Sequence, residues 1–258
     1  MLVDSHCHLE YEGLVDDQSG ALERARSLGV QAFLNISTKR SEWAQVVGTA
    51  QARRDVYASV GIHPHYADQH IDLTREDLLA ETRKPKVVGI GETGLDYYYD
   101  QSDREAQQRS FRLHIDVARE AQLPLIIHTR DAEDDTFAIL EEEMGKGAFP
   151  ALIHCFTASA EFGEKVLALG LTVSISGIVT FKNARELQAF AKKIPQDRLL
   201  VETDSPFLAP IPHRGKTCEP GFVRDTASFL AELRQESLEQ LAEYTTRNFY
   251  SLFSKAAA

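Results

Sequence analysis

The sequence has no long hydrophobic segment, no excess of positive charge and few cysteines. None of its apolar runs approaches the ~18 residues that a membrane-spanning helix requires. Its first 20 residues carry acids and histidines, whereas a secretion signal has a basic start and an apolar centre. These features predict a cytoplasmic protein that has no membrane partner.

The charge balance excludes one large class of nucleic-acid-binding surface. The 258 residues include 28 basic and 39 acidic side chains, which give a formal net charge of −11. A broad basic surface that neutralises many phosphates is therefore not expected. A metal centre with a few local cations could still hold a substrate phosphate.

The three cysteines do not form a framework of disulfides, since an odd number in a chain this long is not the pattern of a disulfide-rich protein. Cys7 and Cys155 each lie next to a histidine at the end of a predicted strand. Side chains alternate along a strand, so we expect both thiols to point away from those histidines and to pack. Cys218 lies in a predicted loop, and its position suggests no role.

Apolar runs rich in Val and Ile alternate along the chain with amphipathic segments. The runs lack clean polar alternation, as in parallel strands that are covered on both faces. Predicted strands cover residues 2–8, 30–36, 56–62, 86–92, 124–128, 150–155, 171–176 and 198–204. Predicted helices cover residues 19–28, 41–53, 74–82, 103–121, 132–144, 159–168, 183–193, 222–233 and 236–253.

Eight strands that alternate with helices in about 250 residues are typical of an α/β protein with a TIM-type (β/α)₈ barrel. No fixed-period repeat or long linker divides the sequence, so we predict a single domain over residues 1–258. An open, doubly wound sheet is the alternative. The barrel is favoured because it brings the ends of distant strands together on one face.

Side chains of metal-binding type lie where the predicted strands end. His6 and His8 are two residues apart at the end of the first strand, so both imidazoles would point the same way. Later strands end on four further residues, Glu92, His128, His154 and Asp204. We therefore predict that these six side chains meet at the mouth of the barrel as metal ligands.

Four imidazoles and two carboxylates suit Mg²⁺, Mn²⁺ or Zn²⁺ better than a soft, thiolate-binding metal. Six ligands are more than one four-coordinate ion needs, so we expect two divalent ions about 3.5–4 Å apart. Glu92 can bridge the ions, and Asp204 can bind a metal and accept a proton from water; both are predicted catalytic residues. Glu202 lies one layer deeper on the same face, and either supports a ligand or binds metal itself.

Several residues beyond the strand ends are candidates for binding substrate. His63 and His65 flank Pro64 after the third strand, and they either contact substrate or order the loop. Arg130 could bind a phosphate, or form a salt bridge with the neighbouring Asp131 or Asp134. Arg214 belongs to a small basic loop after the last strand, where it is also a candidate phosphate ligand.

Three successive tyrosines, residues 97–99, follow the fourth strand. Aromatic rings at the mouth could stack on the bases of a single strand. They could equally pack as a lid over the site, and packing is the expectation for at least one of them.

Six motifs in order resemble the TatD family of metal-dependent deoxyribonucleases, within the amidohydrolase-like barrels. The resemblance runs from Asp4 to about Phe253. The motifs are Asp4–His8, Gly61–His65, Gly91–Tyr98, Pro124–Arg130, His154–Thr157 and Glu202–Leu208.

The resemblance implies the same six metal ligands that the strand ends indicate. It also implies hydrolysis of phosphodiester bonds in DNA, from a 3′ end and with a preference for single strands. No stable protein partner is implied. Two positions depart from the family pattern: Ala158 stands where Gly is usual, and Cys218 where Asn is usual. Both border the predicted cleft, so they bear on substrate preference and leave the ligands intact.

Two other functions are compatible with such a barrel. Amide or ester hydrolysis, for example of a cyclic amide or an aminoacyl-tRNA, could use the same metals. Relatives with that chemistry often bridge their metals with a carboxylated lysine, whereas the strand ends here offer Glu92 and no lysine. A binding protein on an inactive barrel would have lost ligands, and none of the six is missing.

Overall fold

Eight parallel strands form the centre of the fold. The structure, a computed structural model, describes residues 1–257. Each strand is hydrogen-bonded to the next along the chain, in the order β1 to β8. The strands are β1 (Leu2–Cys7), β2 (Val30–Asn35), β3 (Val56–Val60), β4 (Val87–Asp96), β5 (Leu125–Arg130), β6 (Ala151–Ile153), β7 (Thr172–Ile175) and β8 (Leu199–Val201).

The sheet closes where the segment after β8 meets β1. Cys7 and Ser205 form a parallel bridge. The backbone N–H of Asp204 donates to the carbonyl of His6 at 2.9 Å, and that of His8 donates to Ser205 at 2.8 Å. The predicted (β/α)₈ barrel is therefore confirmed, and the open sheet is wrong because its two edge strands meet.

Helices separate the strands and cover the outside of the barrel. The third helix begins after a capping box in which Thr74 and Asp77 bond each other's backbone, which satisfies two N–H groups that a helix start leaves free. The helices are α1 (Gln18–Ser27), α2 (Trp43–Gln51), α3 (Arg75–Thr82), α4 (Arg104–Ala121), α5 (Glu133–Lys146), α6 (Ala160–Ala168), α7 (Arg185–Ala191), α8 (Val223–Arg234) and α9 (Leu238–Leu252). Among residues 1–257, no helix is both long and apolar enough to cross a membrane.

The fourth strand is longer than predicted, so the expectation that it ends at Glu92 is wrong. It continues to Asp96, because β4 and β5 approach closely enough to pair through Gly94 and His128. Gly94 has φ +132°, and a Cβ there would lie only 2.0 Å from the carbonyl oxygen of His128. Glycine thus permits a pairing that any other side chain would block. Strands β6 and β8 end earlier than predicted, and His154 and Asp204 lie just beyond them.

A small apolar cluster fills the lower part of the barrel interior. Val3, Val88 and Ile126, near the starts of their strands, pack there with Phe249 and Phe253 from the C-terminal segment. All are buried. A larger cluster lies between the strands and the surrounding helices. The interior is therefore apolar at the N-terminal ends of the strands, which leaves the opposite end to the polar side chains.

Candidate metal centre

Glu92 lies at the centre of the cluster of predicted ligands. Its Oε2 is 3.4 Å from Nε2 of His6. Its Oε1 is 2.7 Å from Nε2 of His154 and 3.1 Å from Nδ1 of His128. The side chain is nearly fully buried. The two oxygens of this carboxylate therefore face two adjacent groups of imidazoles, which meet where the rings of His6 and His154 stack at 3.9 Å.

His6, His8 and Asp204 form the first of these groups. The two Nε2 atoms of the histidines are 3.2 Å apart, and Oδ1 of Asp204 is 3.3 Å from Nε2 of His8. Asp204 has φ +58°, a left-handed conformation that aspartate tolerates better than most residues. Three ligand-type atoms thus converge beside one oxygen of Glu92.

The second group contains His128, His154 and His63. His63 is buried with its Nε2 3.5 Å from Oε1 of Glu92, and its Nδ1 accepts a hydrogen bond from the backbone of His65. The structure thus places His63 beside the predicted ligands, deeper than a substrate contact at the rim would lie.

The cluster fits a divalent metal ion. Among residues 1–257, no hydrogen-bonding partner meets the buried Nδ1 atoms of His6 and His8 or either nitrogen of His154. Nε2 of His154 lies close to Glu92 but is not aligned for a hydrogen bond. Buried polar atoms are normally paired, so the unpaired nitrogens of His154, beside the carboxylate of Glu92, suit a bound cation. Three sets of residues each bring their ligand atoms within 4.8 Å of one another. They are His6–His8–Glu92, His63–Glu92–His128 and His6–His154–Glu202.

The carboxylates of the cluster are ionised at neutral pH. Burial would raise the pKa of Glu92, but the surrounding imidazoles, His154 foremost, hold it well below its usual range. The pKa of Asp204 is also lowered, against the effect of burial, by the hydrogen bond from His8. Metal ligands must be deprotonated to bind. Both acids are therefore in the form that a metal requires.

Glu202 is fully buried beneath His154. Its Oε1 is 3.4 Å from Nδ1 of His154 and accepts a hydrogen bond from the backbone N–H of Cys155 at 2.8 Å. The hydroxyl of Ser174 donates to Oε2. These contacts allow Glu202 to orient His154, and its carboxylate also belongs to a set able to bind metal with His6 and His154.

Asp96 is a member of the site that was not among the residues predicted from the sequence. Its Oδ2 lies 2.9 Å from Nε2 of His65 and 3.0 Å from Nε2 of His128. The predicted fourth strand ends at residue 92, which leaves Asp96 outside the strand ends where ligands are expected. The available signal was the even spacing from Glu92, which puts both carboxylates on one face of a continuous strand.

The residues predicted to bind substrate occupy different parts of the mouth. The guanidinium of Arg130 lies 4.0 Å from the ring centre of Tyr98 and 4.6 Å from that of Tyr99. Within residues 1–257 it forms no salt bridge, so the alternative pairing with a neighbouring aspartate is wrong. Arg214 lies on the loop after β8. Its guanidinium stacks over the ring of Phe181, 4.1 Å from the ring centre.

Of the three tyrosines that follow Asp96, one is packed and two are exposed. Tyr97 packs against the core, and its hydroxyl donates to Asp135. Tyr98 and Tyr99 are 56% and 50% exposed. One ring is therefore structural, and two are available at the mouth.

The three cysteines and Ala158 lie outside the cluster of predicted ligands. The Cys7 thiol is buried and donates to the carbonyl of Leu34, and the Cys155 thiol lies 3.2 Å from the hydroxyl of Ser176. Burial raises the pKa of both thiols, which keeps them protonated. Ala158 packs against the core, and the backbone N–H of Cys218 donates to Pro206 in the loop after Asp204.

Comparison with known proteins places the chain in a family. The model of the TatD related DNase family matches residues 3–254. The chain belongs to the TatD family of metal-dependent hydrolases. The uncharacterized metal-dependent hydrolase YcfH of Escherichia coli is 45% identical over 98% of this chain and 95% of its own length. YabD of Bacillus subtilis is 41% identical over 98% of this chain and 99% of its own.

Solved structures share the fold of this TatD-family chain. The TatD homologue YjjV from E. coli superposes with a TM-score of 0.91 at 29% identity, over 98% of each chain. A lactonase from Deinococcus radiodurans has a TM-score of 0.68 at 17% identity, over 98% of this chain and 95% of its own. At that identity, the second similarity shows only a common fold.

Proposed function

We propose that this TatD-family protein hydrolyses phosphodiester bonds of DNA with two divalent ions, drawn from Mg²⁺, Mn²⁺ or Zn²⁺. The observation that carries the proposal is Glu92, whose two oxygens face two groups of imidazoles. One group would comprise His6 and His8, and the other His128 and His154. Two-ion sites suit phosphate-ester hydrolysis, because they supply charge at both the attacking and the leaving oxygen and help water to ionise.

Asp204 is the proposed general base. Its carboxylate is ionised, borders the ligand cluster and retains 15% exposure of the side chain. It can therefore meet a water that enters from the mouth and accept its proton. Its backbone hydrogen bond to β1 fixes this position.

Contacts at the mouth support the proposal that the substrate is the end of a single strand, and the proposed 3′ polarity rests on the family resemblance. Tyr98 and Tyr99 offer exposed rings on which bases can stack, and Arg130 beside them can pair with a phosphate. Arg214 offers a second cation on the loop after β8. These few local contacts suit a strand end better than a long duplex, which an acidic protein would repel.

The test is cleavage of an end-labelled single-stranded oligonucleotide with Mg²⁺, Mn²⁺ or Zn²⁺, with and without EDTA. We expect a ladder of products shortened from the 3′ end, abolished by EDTA. Asp204→Asn should retain the fold by circular dichroism and lose at least roughly 100-fold in rate, in the usual range for a general base. Wild-type turnover in that variant would exclude Asp204 as the base.

A parallel assay with lactones and small amides tests the competing hydrolase activity. Amide opening without oligonucleotide cleavage would overturn the deoxyribonuclease proposal. A protein that binds metal and cleaves neither substrate would indicate a binding function.

A further inference from the structure

We propose that Asp96 is a positioning residue that couples the metal-binding histidine His128 to the exposed pair Tyr98–Tyr99. The inference rests on the proposed metal function of His128. Asp96 itself lies behind the ligands and has no exposed surface.

One oxygen of Asp96 sets the orientation of His128. Oδ2 is 3.0 Å from Nε2 of His128, while Nδ1 of the same ring lies 3.1 Å from Oε1 of Glu92. A carboxylate accepts hydrogen bonds, so the Nε2 atom carries the hydrogen in this pair. Nδ1 is then the nitrogen that turns toward Glu92 and can bind metal. Carboxylate partners of this kind fix both the tautomer and the ring orientation of metal-binding histidines.

The other oxygen of Asp96 holds the turn that carries the two exposed rings. Oδ1 accepts hydrogen bonds from the backbone N–H groups of Tyr98 at 3.1 Å and of Tyr99 at 3.0 Å. Both rings contact Arg130. A single carboxylate thus joins a ligand of the cluster to the part of the mouth proposed to bind substrate.

The backbone of Asp96 is clamped from α4. The side-chain oxygen of Gln107 accepts from the N–H of Asp96 at 2.8 Å, and its amide nitrogen donates to the Asp96 carbonyl at 3.1 Å. Gln107 is also fully buried. Asp96 cannot follow a movement of one partner without disturbing the other, which makes it a rigid link.

Replacing Asp96 with Asn removes this link while nearly preserving its volume. Asn has one acceptor oxygen and an NH₂ group, but all the neighbours of Asp96 present N–H donors. Whichever way the amide turns, it faces a donor with its NH₂ group. His128 must then change tautomer, or the 98–99 turn must lose its anchor.

The experiment is calorimetric titration of the metal-free protein with Mn²⁺ alone. We expect Asp96→Asn to weaken metal binding by about 10–100-fold. Asp100→Asn is the matched control, since Asp100 lies in the same loop, carries the same charge and is exposed. The control should stay within about twofold of the wild type. Equal affinities for the wild type and both variants would overturn the inference.

Two nuclear magnetic resonance measurements complete the test. In the wild type loaded with ¹¹³Cd²⁺, coupling should appear at Nδ1 of His128, and coupling at Nε2 would refute the inference even if Asp96→Asn does not fold. Metal addition should also shift the amide signals of Tyr98 and Tyr99 in the wild type and less in Asp96→Asn; equal shifts would contradict the link. Since no DNA is used, these results are independent of the nuclease assay.

Discussion

At the scale of single residues, the most informative side chain is Glu92. It is a buried acid surrounded by imidazoles, and its ionised form is held by their charges. Such an arrangement would be costly without positive partners, because burying an isolated charge is unfavourable. Glu92 is therefore the counter-charge that allows several histidines to be buried together, in addition to its proposed role as a metal ligand.

Glu92→Gln should lose most of its bound metal. The amide keeps the shape of the side chain but cannot neutralise two cations, so we expect affinity to fall by at least roughly 100-fold, beyond the loss for a residue that only supports a ligand. Metal content after dialysis, measured by mass spectrometry, checks this. Glu164→Gln, which alters an exposed acid on α6, is the control and should keep its metal. Retention of two ions by Glu92→Gln would contradict the bridging role.

At the scale of elements, α4 positions the loop that follows β3. His114 on this helix is fully buried. Its Nε2 accepts from the backbone N–H of Ile62 at 3.0 Å, and its Nδ1 lies 2.7 Å from the carbonyl of Ser110, to which it donates. Ile62 directly precedes His63. A neutral histidine on α4 thus fixes the backbone that leads into the cluster of predicted ligands.

This arrangement predicts a pH dependence of stability. Burial lowers the pKa of His114 to about 4, against about 6.5 in an unfolded chain. Between these values the unfolded state binds a proton that the folded state rejects, so stability falls as pH drops from about 6.5 to about 4. The contribution is about 3 kcal/mol at most, at about 1.4 kcal/mol per pH unit.

Urea unfolding of the metal-free protein at pH 7 and pH 4.5 measures the effect. His114→Gln has no proton to gain, so it should be less stable than the wild type at pH 7, with that deficit reduced at pH 4.5. The same deficit at both pH values would show that His114 does not titrate as described.

Some of these elements were predictable from the sequence, and others depend on tertiary contacts. Runs such as Leu125–Ile127 are buried on both faces, and that pattern predicted the barrel and the order of its eight strands. The extension of β4 was not predictable from its own sequence, because Thr93-Gly94 has the composition of a turn. Only the close approach of β5 makes it a strand, and the role of Asp96 was missed with it. The stacking of Arg130 on tyrosines likewise depends on tertiary structure.

At the scale of the whole molecule, charge sets the terms on which DNA could bind. The net charge is −11, while Arg130 and Arg214 are the cations proposed to meet phosphate. Affinity for a single strand falls with salt by a slope of about −0.7 for each phosphate neutralised, on logarithmic axes. Two such contacts therefore predict that the logarithm of affinity falls with the logarithm of salt concentration with a slope of about −1.4.

Fluorescence anisotropy of a labelled single strand across a KCl series, at constant metal concentration, measures this slope. Arg130→Gln should reduce its magnitude by about 0.7. A slope steeper than about −3 would show that the strand contacts many more phosphates than the mouth provides.

The apolar cluster at the lower end of the barrel limits how a substrate could enter the site and how a product could leave it. Phe249 and Phe253 are buried in the barrel interior at the end opposite the predicted ligands and fill it there. A polymer cannot thread through the barrel and must either insert an end or lie across the opening. If the protein is the proposed exonuclease, the released nucleotide would leave through the opening by which the strand end enters, before the strand could advance.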